Sequence, residues 1–265
     1  MTLESDFNLT PVVACEIEFT LHGSHDRDLS CFWREVTDRC EQGGIAIFKI
    51  EKERGHEQHE VALAPASAEK AAADCIRLKE ILSEMAVVHG MRADFSAKPF
   101  PPSTLPPQAG GEKNSEPGSG LHVHVHLADS EGNNVFYKDD ARISDALKYS
   151  LGGLLHWMIP HMPIFAPTAE SYLRFQYAGD HTPTTVSWGA NNRTCALRLP
   201  DALPGHKHIE HRVAGADAGP EKVIAAILEA MHWGILNKAE PGPQIYGDAK
   251  LEMYGLPSLL SSRTL

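Results

Sequence analysis

Residues 118–127 read Gly-Ser-Gly-Leu-His-Val-His-Val-His-Leu, in which three histidines alternate strictly with aliphatic residues. Successive side chains of a β-strand point to opposite faces, so this spacing predicts a strand with His122, His124 and His126 on one face. The leucines and valines on the other face would pack into a core. Imidazoles on a rigid strand suit metal or phosphate chemistry near neutral pH, although the pattern alone leaves three plain surface histidines as an alternative.

A second β-rich run, residues 12–21, places Glu16 and Glu18 on one face and Ile17 and Phe19 on the other. Two carboxylates on the same strand face repel each other. The pair therefore indicates either a metal site or a solvated outer face, and this pattern does not decide between them.

The composition is that of an ordinary globular chain. Its 265 residues are 42% hydrophobic and 22% charged, which is enough to build a sizeable core in one large domain or two small ones. The formal net charge of −11 argues against nucleic acid or an anionic membrane surface as a partner. Binding to phosphate groups of that kind requires a surplus of lysine and arginine that this chain lacks overall.

The five cysteines are odd in number and include no CxxC pair, which argues against a disulfide framework and against a zinc ribbon. The N-terminus has no basic segment leading into an apolar one, and no run approaches the length of a membrane span. We therefore expect a cytoplasmic protein that is neither exported nor embedded in a membrane.

Periodicity predicts helices over residues 29–42, 67–90, 143–158 and 221–236. Residues 45–63 are expected to form a strand, a turn and a second strand, and residues 91–100 a strand-like segment. The short strands and hairpin-like connections favour an α+β fold with an antiparallel sheet. Residues 1–11 are expected to be irregular. Residues 101–117, rich in proline, glycine and serine, are expected to form a loop.

Several separated stretches, taken in order, resemble the catalytic domain of glutamine synthetase and its γ-glutamyl-amine ligase relatives. They read CEIEF at 15–19, ERGHEQHE at 53–60, FSAKP at 95–99, GSGLHVH at 118–124, SYLRF at 171–175, WGANNR at 188–193 and IEHR at 209–212. The resemblance implies one catalytic domain over residues 1–265, built on a curved antiparallel sheet flanked by helices.

The resemblance also implies two divalent cation sites. Position by position, it assigns Glu18, Glu53 and Glu60 to one cation, and it assigns a second cation to Glu16, His122 and Glu210. Oxygen ligands dominate both sets. Mg²⁺ or Mn²⁺ is therefore more plausible than zinc, which favours histidine and cysteine.

By the same resemblance, further residues bind the substrates. The catalytic group would be Arg174, Arg193, Arg212 and His181. The amino-acid substrate would be bound by Gly118, His122, Arg174 and Arg212, and ATP by His124, Arg193, Arg198 and Lys207. Arginine suits such sites because its planar guanidinium binds oxyanions with two hydrogen bonds.

The implied reaction is an ATP-dependent ligation. The γ-carboxylate of glutamate, or of a similar acid, would be activated as an acyl phosphate and attacked by ammonia or a small amine. Its transition state spreads negative charge over the oxygens of the transferring group, and two cations with several guanidiniums would stabilise that charge.

Some positions depart from the family pattern. His126 stands where a small hydroxyl residue is usual, Pro117 where asparagine is common, and Glu57 where glycine is usual. His181, aligned through Pro183, takes the place of the flap glutamate that accepts the ammonium proton. A histidine can still act as a base, but it does not attract the ammonium cation as a carboxylate does. The acceptor could therefore be an amine other than ammonia.

The match begins near residue 12 and lacks the family's N-terminal β-grasp domain and C-terminal helical extension. We therefore expect a homo-oligomer smaller than the family's rings, acting on small molecules. Two alternatives to a ligase remain at this stage. One is a non-catalytic or regulatory protein that binds metal, nucleotide or amino acid, and the other is a remnant of a longer enzyme.

Overall fold

The computed structural model describes residues 2–100, 116–137, 143–203 and 205–264, with side chains described as far as residue 261. Most of the expected loop at 101–117 therefore lies outside the described residues. The two members that are described, Glu116 and Pro117, belong to no helix or strand.

Seven α-helices lie in these ranges: α1 (Leu3–Phe7), α2 (Ser30–Gln42), α3 (Ala68–Val88), α4 (Asp145–Trp157), α5 (Met162–Phe165), α6 (Leu173–Gln176) and α7 (Pro220–Asn237). Short 3₁₀ helices span Glu252–Tyr254 and Leu259–Thr264. In the part of the chain that the structure describes, no helix is both long and apolar enough to cross a membrane.

The strands in the same ranges are β1 (Thr10–His22), β2 (Ile47–Lys52), β3 (Gln58–Leu63), β4 (Ala66–Ser67), β5 (Arg92–Asp94), β6 (Leu121–Ala128), β7 (Trp188–Ala190), β8 (Leu197–Leu199) and β9 (Ile209–His211). They form one sheet in the order β2-β3-β1-β6-β9-β8-β7, with β4 and β5 also paired to β1. Every pairing is antiparallel except that of β7 with β8. The expected α+β fold with a mainly antiparallel sheet is confirmed.

Alternation along β1 and β6 separates a core face from an open face. Ile17 and Phe19 on β1 and Val123 on β6 have no exposed surface. They pack in one cluster with Leu78 of α3, whose helix covers this face of the sheet. The acidic residues of β1 and the histidines of β6 consequently point away from the core.

The N-terminal residues differ from the expectation of an irregular segment. Residues Leu3–Phe7 form helix α1, which begins with a capping box in which Thr2 and Ser5 each accept a hydrogen bond from the other's backbone N–H. Leu3 is buried, and Asp6 contacts His232 of α7 at 2.8 Å. A five-residue helix is too short to show periodicity, so its caps and tertiary contacts stabilise it.

The strand-like segment 91–100 is also shorter than expected. Only Arg92–Asp94 pairs with β1. The carboxylate of Asp94 then accepts hydrogen bonds from the backbone N–H and the hydroxyl of Ser96, at 2.9 and 2.6 Å. This local turn competes with continued strand pairing.

Helices α4 and α7 cross so closely that their backbones are in contact. A Cβ atom added to Gly153 would lie 2.0 Å from the carbonyl oxygen of Ala230 and 2.7 Å from the Cα of Gly234. Gly152 is equally enclosed, since its Cβ would lie 2.0 Å from the carbonyl oxygen of Ala239. Only glycine permits this approach of the two helices.

We expect Gly153→Ala to lower the free energy of unfolding by about 3 kcal/mol, because the added methyl group overlaps backbone that cannot move aside. In a solvent-exposed helix, replacing glycine with alanine would stabilise the protein by about 1 kcal/mol. A loss of stability would therefore show that Gly153 is needed where the two helices cross. Urea unfolding followed by circular dichroism measures this difference. Gly179→Ala is the control, because its Cβ would meet no atom within 4 Å; equal stability of the two variants would contradict the prediction.

Candidate functional site

Strand register brings the acidic residues and histidines of distant segments together. Glu16 on β1 lies opposite His122 on β6, and Glu18 lies opposite Glu60 on β3. Glu210 on β9 lies opposite His124. Residues directly opposite in an antiparallel pair project to the same face, so these side chains share the open face of the sheet.

Two groups of possible metal ligands result from this register. Glu16, His122 and Glu210 form one and Glu18, Glu60 and His122 form the other, and in each group the ligand atoms lie within 4.8 Å of one another. The Nδ1 atom of His122 is 3.4 Å from Glu16 Oε2 and 3.8 Å from Glu210 Oε1. His122 is thus the residue common to both groups.

Glu53 occupies a different position from the other five expected ligands. It follows β2, its backbone N–H donates to the carbonyl of Gln58, and it belongs to neither group among the described residues. Burial, and then the charge of Glu18, raise the pKa of Glu53 above its ordinary value. Its carboxylate is therefore an electrostatic neighbour of the second group.

Burial and the neighbouring carboxylates together favour the protonated form of Glu60. Burial, followed by the charges of Glu16, Glu18 and Glu53, raises the pKa of Glu60 to about 9. Burial also opposes ionisation of Glu16, but its contacts with the imidazoles of His122 and His124 outweigh that effect and lower its pKa. A site with this excess of anionic oxygen atoms fits a hard divalent cation, which would replace the proton of Glu60.

Glu210 is neutralised by two guanidiniums. Its Oε2 accepts a hydrogen bond from Arg198 at 2.8 Å, and its Oε1 accepts one from Arg212. Burial would raise the pKa of Glu210, but the charge of Arg212 and then those of neighbouring groups lower it to about 2. Arg198 also donates to the side chain of Asn191, so β8 and the turn before it are tied to this carboxylate.

Arg174 lies under the turn that leads into the histidine strand. Its guanidinium donates to the carbonyls of Val213 and Arg212 at 2.9 and 3.2 Å. A Cβ on Gly118 would lie 2.7 Å from Arg174 Cγ, which explains the requirement for glycine at that position. Burial lowers the pKa of Arg174 to about 10, which still leaves it charged at neutral pH.

Residues 177–183, here called the flap segment, are held by cationic side chains through backbone carbonyls. Lys98 donates to the carbonyl of Tyr177 and Lys250 to that of Asp180, each at 2.9 Å. Arg212 donates to the carbonyl of His181 at 3.3 Å. Lys250 is a site residue that the sequence analysis missed. Its hydrogen bond joins two residues that are 70 positions apart, and Lys250 belongs to no recognisable motif. The sequence therefore contains no pattern that predicts this contact.

The flap segment borders a cleft of about 630 Å³. His181 and Arg193 line it, together with Asn192, Tyr246 and Lys250. Burial, and then the charges of Arg54, Arg193 and Arg212, lower the pKa of His181, so its imidazole is neutral at neutral pH. A neutral imidazole at the edge of a cleft has the protonation state that a general base requires.

The remaining residues that the sequence analysis expected near the nucleotide do not lie in one place. His124 Nε2 lies 3.0 Å from Glu16 Oε1, and its ring centroid is 5.1 Å from that of His208. His126 is half-buried, and burial and then the charge of His208 lower its pKa. The ammonium of Lys207 lies 5.9 Å from the centroid of the Tyr137 ring.

We expect Mg²⁺ binding to release a proton at neutral pH, because Glu60 must give up the proton that its raised pKa retains. The apparent Mg²⁺ affinity should consequently increase by about tenfold per pH unit below about pH 8. Calorimetry in buffers of different ionisation enthalpy measures the released proton. Glu60→Gln should abolish that release and weaken binding, whereas the exposed Glu80→Gln should change neither; binding without proton release in the wild type would contradict the prediction.

Comparisons with known proteins identify the family to which this chain belongs. The family model described as glutamine synthetase, catalytic domain, matches residues 23–255. The chain is 38% identical over 184 residues to γ-glutamylputrescine synthetase PuuA of Escherichia coli strain K12, and 32% identical over 234 residues to glutamate–isopropylamine ligase of a Pseudomonas species. These matches cover 69% and 86% of this chain.

The structural match extends over nearly the whole chain. A solved chain described as a GmaS/ADP complex superposes with a TM-score of 0.81 at 24% identity, covering 98% of this chain and 64% of that one. The matched regions span only 36% of the length of the Escherichia coli relative and 47% of that of the Pseudomonas relative. The match over residues 23–255 nevertheless includes most of the sheet and four of the six expected ligands, and the chain belongs to the glutamine synthetase family through its catalytic domain.

Proposed function

We propose that this chain catalyses, or forms the catalytic domain for, ATP-dependent formation of an amide between the γ-carboxylate of a glutamate-type acid and an amine. The observation that carries the proposal is the pair of ligand groups sharing His122, with two guanidiniums beside them on Glu210. Phosphoryl transfer relies mainly on positioning and on stabilising negative charge, and this face of the sheet offers groups for both.

Two cations, Mg²⁺ or Mn²⁺, would bind to the acidic face. One would take Glu16, His122 and Glu210, and the other Glu18 and Glu60 with Glu53 completing its set. When bound, they would neutralise phosphate oxygens and make the phosphorus more electrophilic. The predominance of carboxylate oxygen atoms in both ligand groups supports these cations over zinc.

The arginines would act on the substrates directly. Arg193 lies on the cleft and Arg198 on the neighbouring strand, and both are assigned to the phosphates of ATP. Arg174 and Arg212 are assigned to the substrate carboxylate and the acyl phosphate, next to the backbone of Gly118. Arg212 would exchange part of its pairing with Glu210 for the substrate, as a cation takes over that carboxylate.

The acceptor is proposed to be an alkylamine or diamine. Two relatives carry names that specify such amines, putrescine and isopropylamine, as their substrates. His181 supports the same assignment because its imidazole has a lowered pKa and lines the cleft. A neutral imidazole can accept a proton from an attacking amine without binding ammonium electrostatically.

The test is phosphate release in the presence of ATP, Mg²⁺ and glutamate, measured with a panel of amines and with ammonia. We expect release to require both glutamate and an amine, and to be faster with alkylamines than with ammonia. Mass spectrometry of the product identifies the γ-glutamyl amide. Absence of acceptor-dependent release from folded, metal-loaded protein would reject the proposal.

A non-catalytic binding role is the second candidate. It is favoured by one observation: both oxygens of Glu210 are paired with arginines, and one of these arginines also holds the flap segment. Such a site could bind nucleotide and metal without closing over an acceptor. Calorimetric binding of ATP with Mg²⁺, combined with no turnover for any amine, would select this candidate.

We expect His181→Gln to lower amine-dependent turnover by about 100-fold, because general-base catalysis contributes at least about that much. Binding of ATP and Mg²⁺ should not change, since glutamine preserves the side-chain volume and the backbone contact with Arg212. Steady-state kinetics and calorimetry separate the two effects. Asp180→Asn, which alters the neighbouring exposed carboxylate, should retain turnover within a few fold, and the opposite ranking would assign the base to Asp180.

A further inference from the structure

Gln58 joins two turns that border the candidate site. We call residues 53–57, which connect β2 to β3, the acidic turn, and residues 118–120, which lead into β6, the glycine turn. Gln58 follows the acidic turn directly and begins β3. It lies two positions before Glu60, so both side chains project to the open face of the sheet. The Gln58 side chain is nevertheless buried, because the glycine turn crosses over it.

The amide of Gln58 is hydrogen-bonded at both ends, and each end contacts a different turn. Its Nε2 donates to the carbonyl of Gly118 at 3.1 Å and to the hydroxyl of Ser119 at 3.3 Å. Its Oε1 accepts a hydrogen bond from the backbone N–H of Gly55 at 3.1 Å. A Cβ on Gly55 would lie 2.6 Å from this oxygen, so the contact requires glycine there. One buried side chain therefore holds the two turns together.

Other bonds fix the rest of the glycine turn and leave the Gly118 carbonyl to Gln58. The backbone N–H of Gly120 donates to Glu18 Oε2 at 2.6 Å, and that of the central serine donates to the carbonyl of Ala97 at 3.0 Å. Among the described residues, the Gln58 amide is the donor that the structure places on the Gly118 carbonyl. A carbonyl oxygen has two lone pairs, so this bond occupies one and leaves the other for a further donor.

The acidic turn is itself anchored on both sides. Glu57 has a φ of +53°, a left-handed conformation that favours glycine and costs conformational energy in a glutamate. Its Oε1 compensates by accepting hydrogen bonds from the backbone N–H groups of Gly23 and His25 at 3.0 and 2.8 Å. The backbone N–H of His56 donates to Glu116 Oε2 at 2.8 Å, which joins the acidic turn to the segment just before the glycine turn. The glutamine amide that follows the acidic turn therefore extends from a fixed backbone.

We propose that Gln58 is a positioning residue whose amide directs the Gly118 carbonyl at the α-ammonium group of the amino-acid substrate. This role rests on the proposed function, in which the backbone of Gly118 contacts a glutamate-type acid. At neutral pH the α-ammonium is the group of glutamate that donates hydrogen bonds, and a carbonyl only accepts them. Both ends of the Gln58 amide are already bound within the protein, so Gln58 acts through Gly118 and does not itself bind the substrate.

The contribution of Gln58 is directional. Without its donor, the Gly118 carbonyl loses the bond that fixes it over the open face. The ammonium group of the substrate would then have to order the glycine turn as it binds, and that ordering reduces affinity. A diacid that lacks the α-amino group makes no such demand. The effect of Gln58 is therefore specific to the amino group of the substrate.

The test compares the binding of glutamate with that of glutarate, the same diacid without the α-amino group. Calorimetry with Mg²⁺ and a non-hydrolysable ATP analogue measures both affinities without turnover, so the result does not depend on ligase activity. We expect Gln58→Met, which keeps the side-chain length and removes the amide, to weaken glutamate binding by about tenfold and to leave glutarate binding unchanged. Gly55→Ala should act in the same way, because its Cβ displaces the Gln58 amide without removing a polar group.

Melting temperature and Mg²⁺ binding report whether the variants keep the fold and the acidic face. Gln42→Met is the matched control, because it makes the same change at an exposed position at the end of α2, and it should alter neither affinity. Gly55→Ala keeps the test decisive if Gln58→Met does not fold. The backbone of Gly55 is not left-handed, so alanine can adopt its conformation.

The proposal is overturned if the folded variants keep the wild-type preference for glutamate over glutarate. Equal weakening of both ligands would indicate a purely structural role and would also overturn it, as would a wild type that binds the two ligands equally. Turnover with ATP, glutamate and amines is measured separately. Amine-dependent turnover with an unchanged preference in the variants retains the ligase and rejects the role of Gln58, whereas a lost preference without turnover in the wild type does the reverse.

Discussion

Mutual repulsion of carboxylates on one face of the sheet is the constraint on which the rest of this structure depends. Glu16, Glu18 and Glu60 are held together by the pairing of β1 with its neighbours, so they cannot separate without breaking the sheet. Burial, together with the charges of these neighbouring carboxylates, raises the pKa of Glu60 to about 9. The sheet tolerates this repulsion because β1 is paired on both sides and its opposite face is completely buried against the core.

Positive groups are arranged around this acidic face in two ways. Arg198 and Arg212 pair directly with Glu210, whereas Lys98 and Lys250 donate to backbone carbonyls and hold the flap segment beside the cleft. Arg212 belongs to both arrangements, since it also donates to the carbonyl of His181. Any change in charge at Glu210 therefore reaches the flap segment through one side chain.

Local patterns predicted much of the fold and part of the site. The alternation in β1 and β6 and the apolar periodicity of α2, α3, α4 and α7 place these elements within a few residues of their observed bounds. Helix α1 was not predicted, because five residues are too few to show the periodic spacing of apolar side chains that indicates a helix. The segment after Asp94 was overestimated as a strand because a side-chain hydrogen bond turns the chain there.

By itself, the sequence determined which side chains share a face: His122, His124 and His126 on one strand, Glu16 and Glu18 on another. That information is local, because the direction of a side chain in a strand depends only on the position along the backbone. Only the tertiary structure decided which faces meet. It set Glu16 opposite His122, left Glu53 outside both ligand groups, and brought Lys250 to the flap segment. These contacts join residues up to about a hundred positions apart, and they depend on strand register and chain packing, which no local pattern encodes.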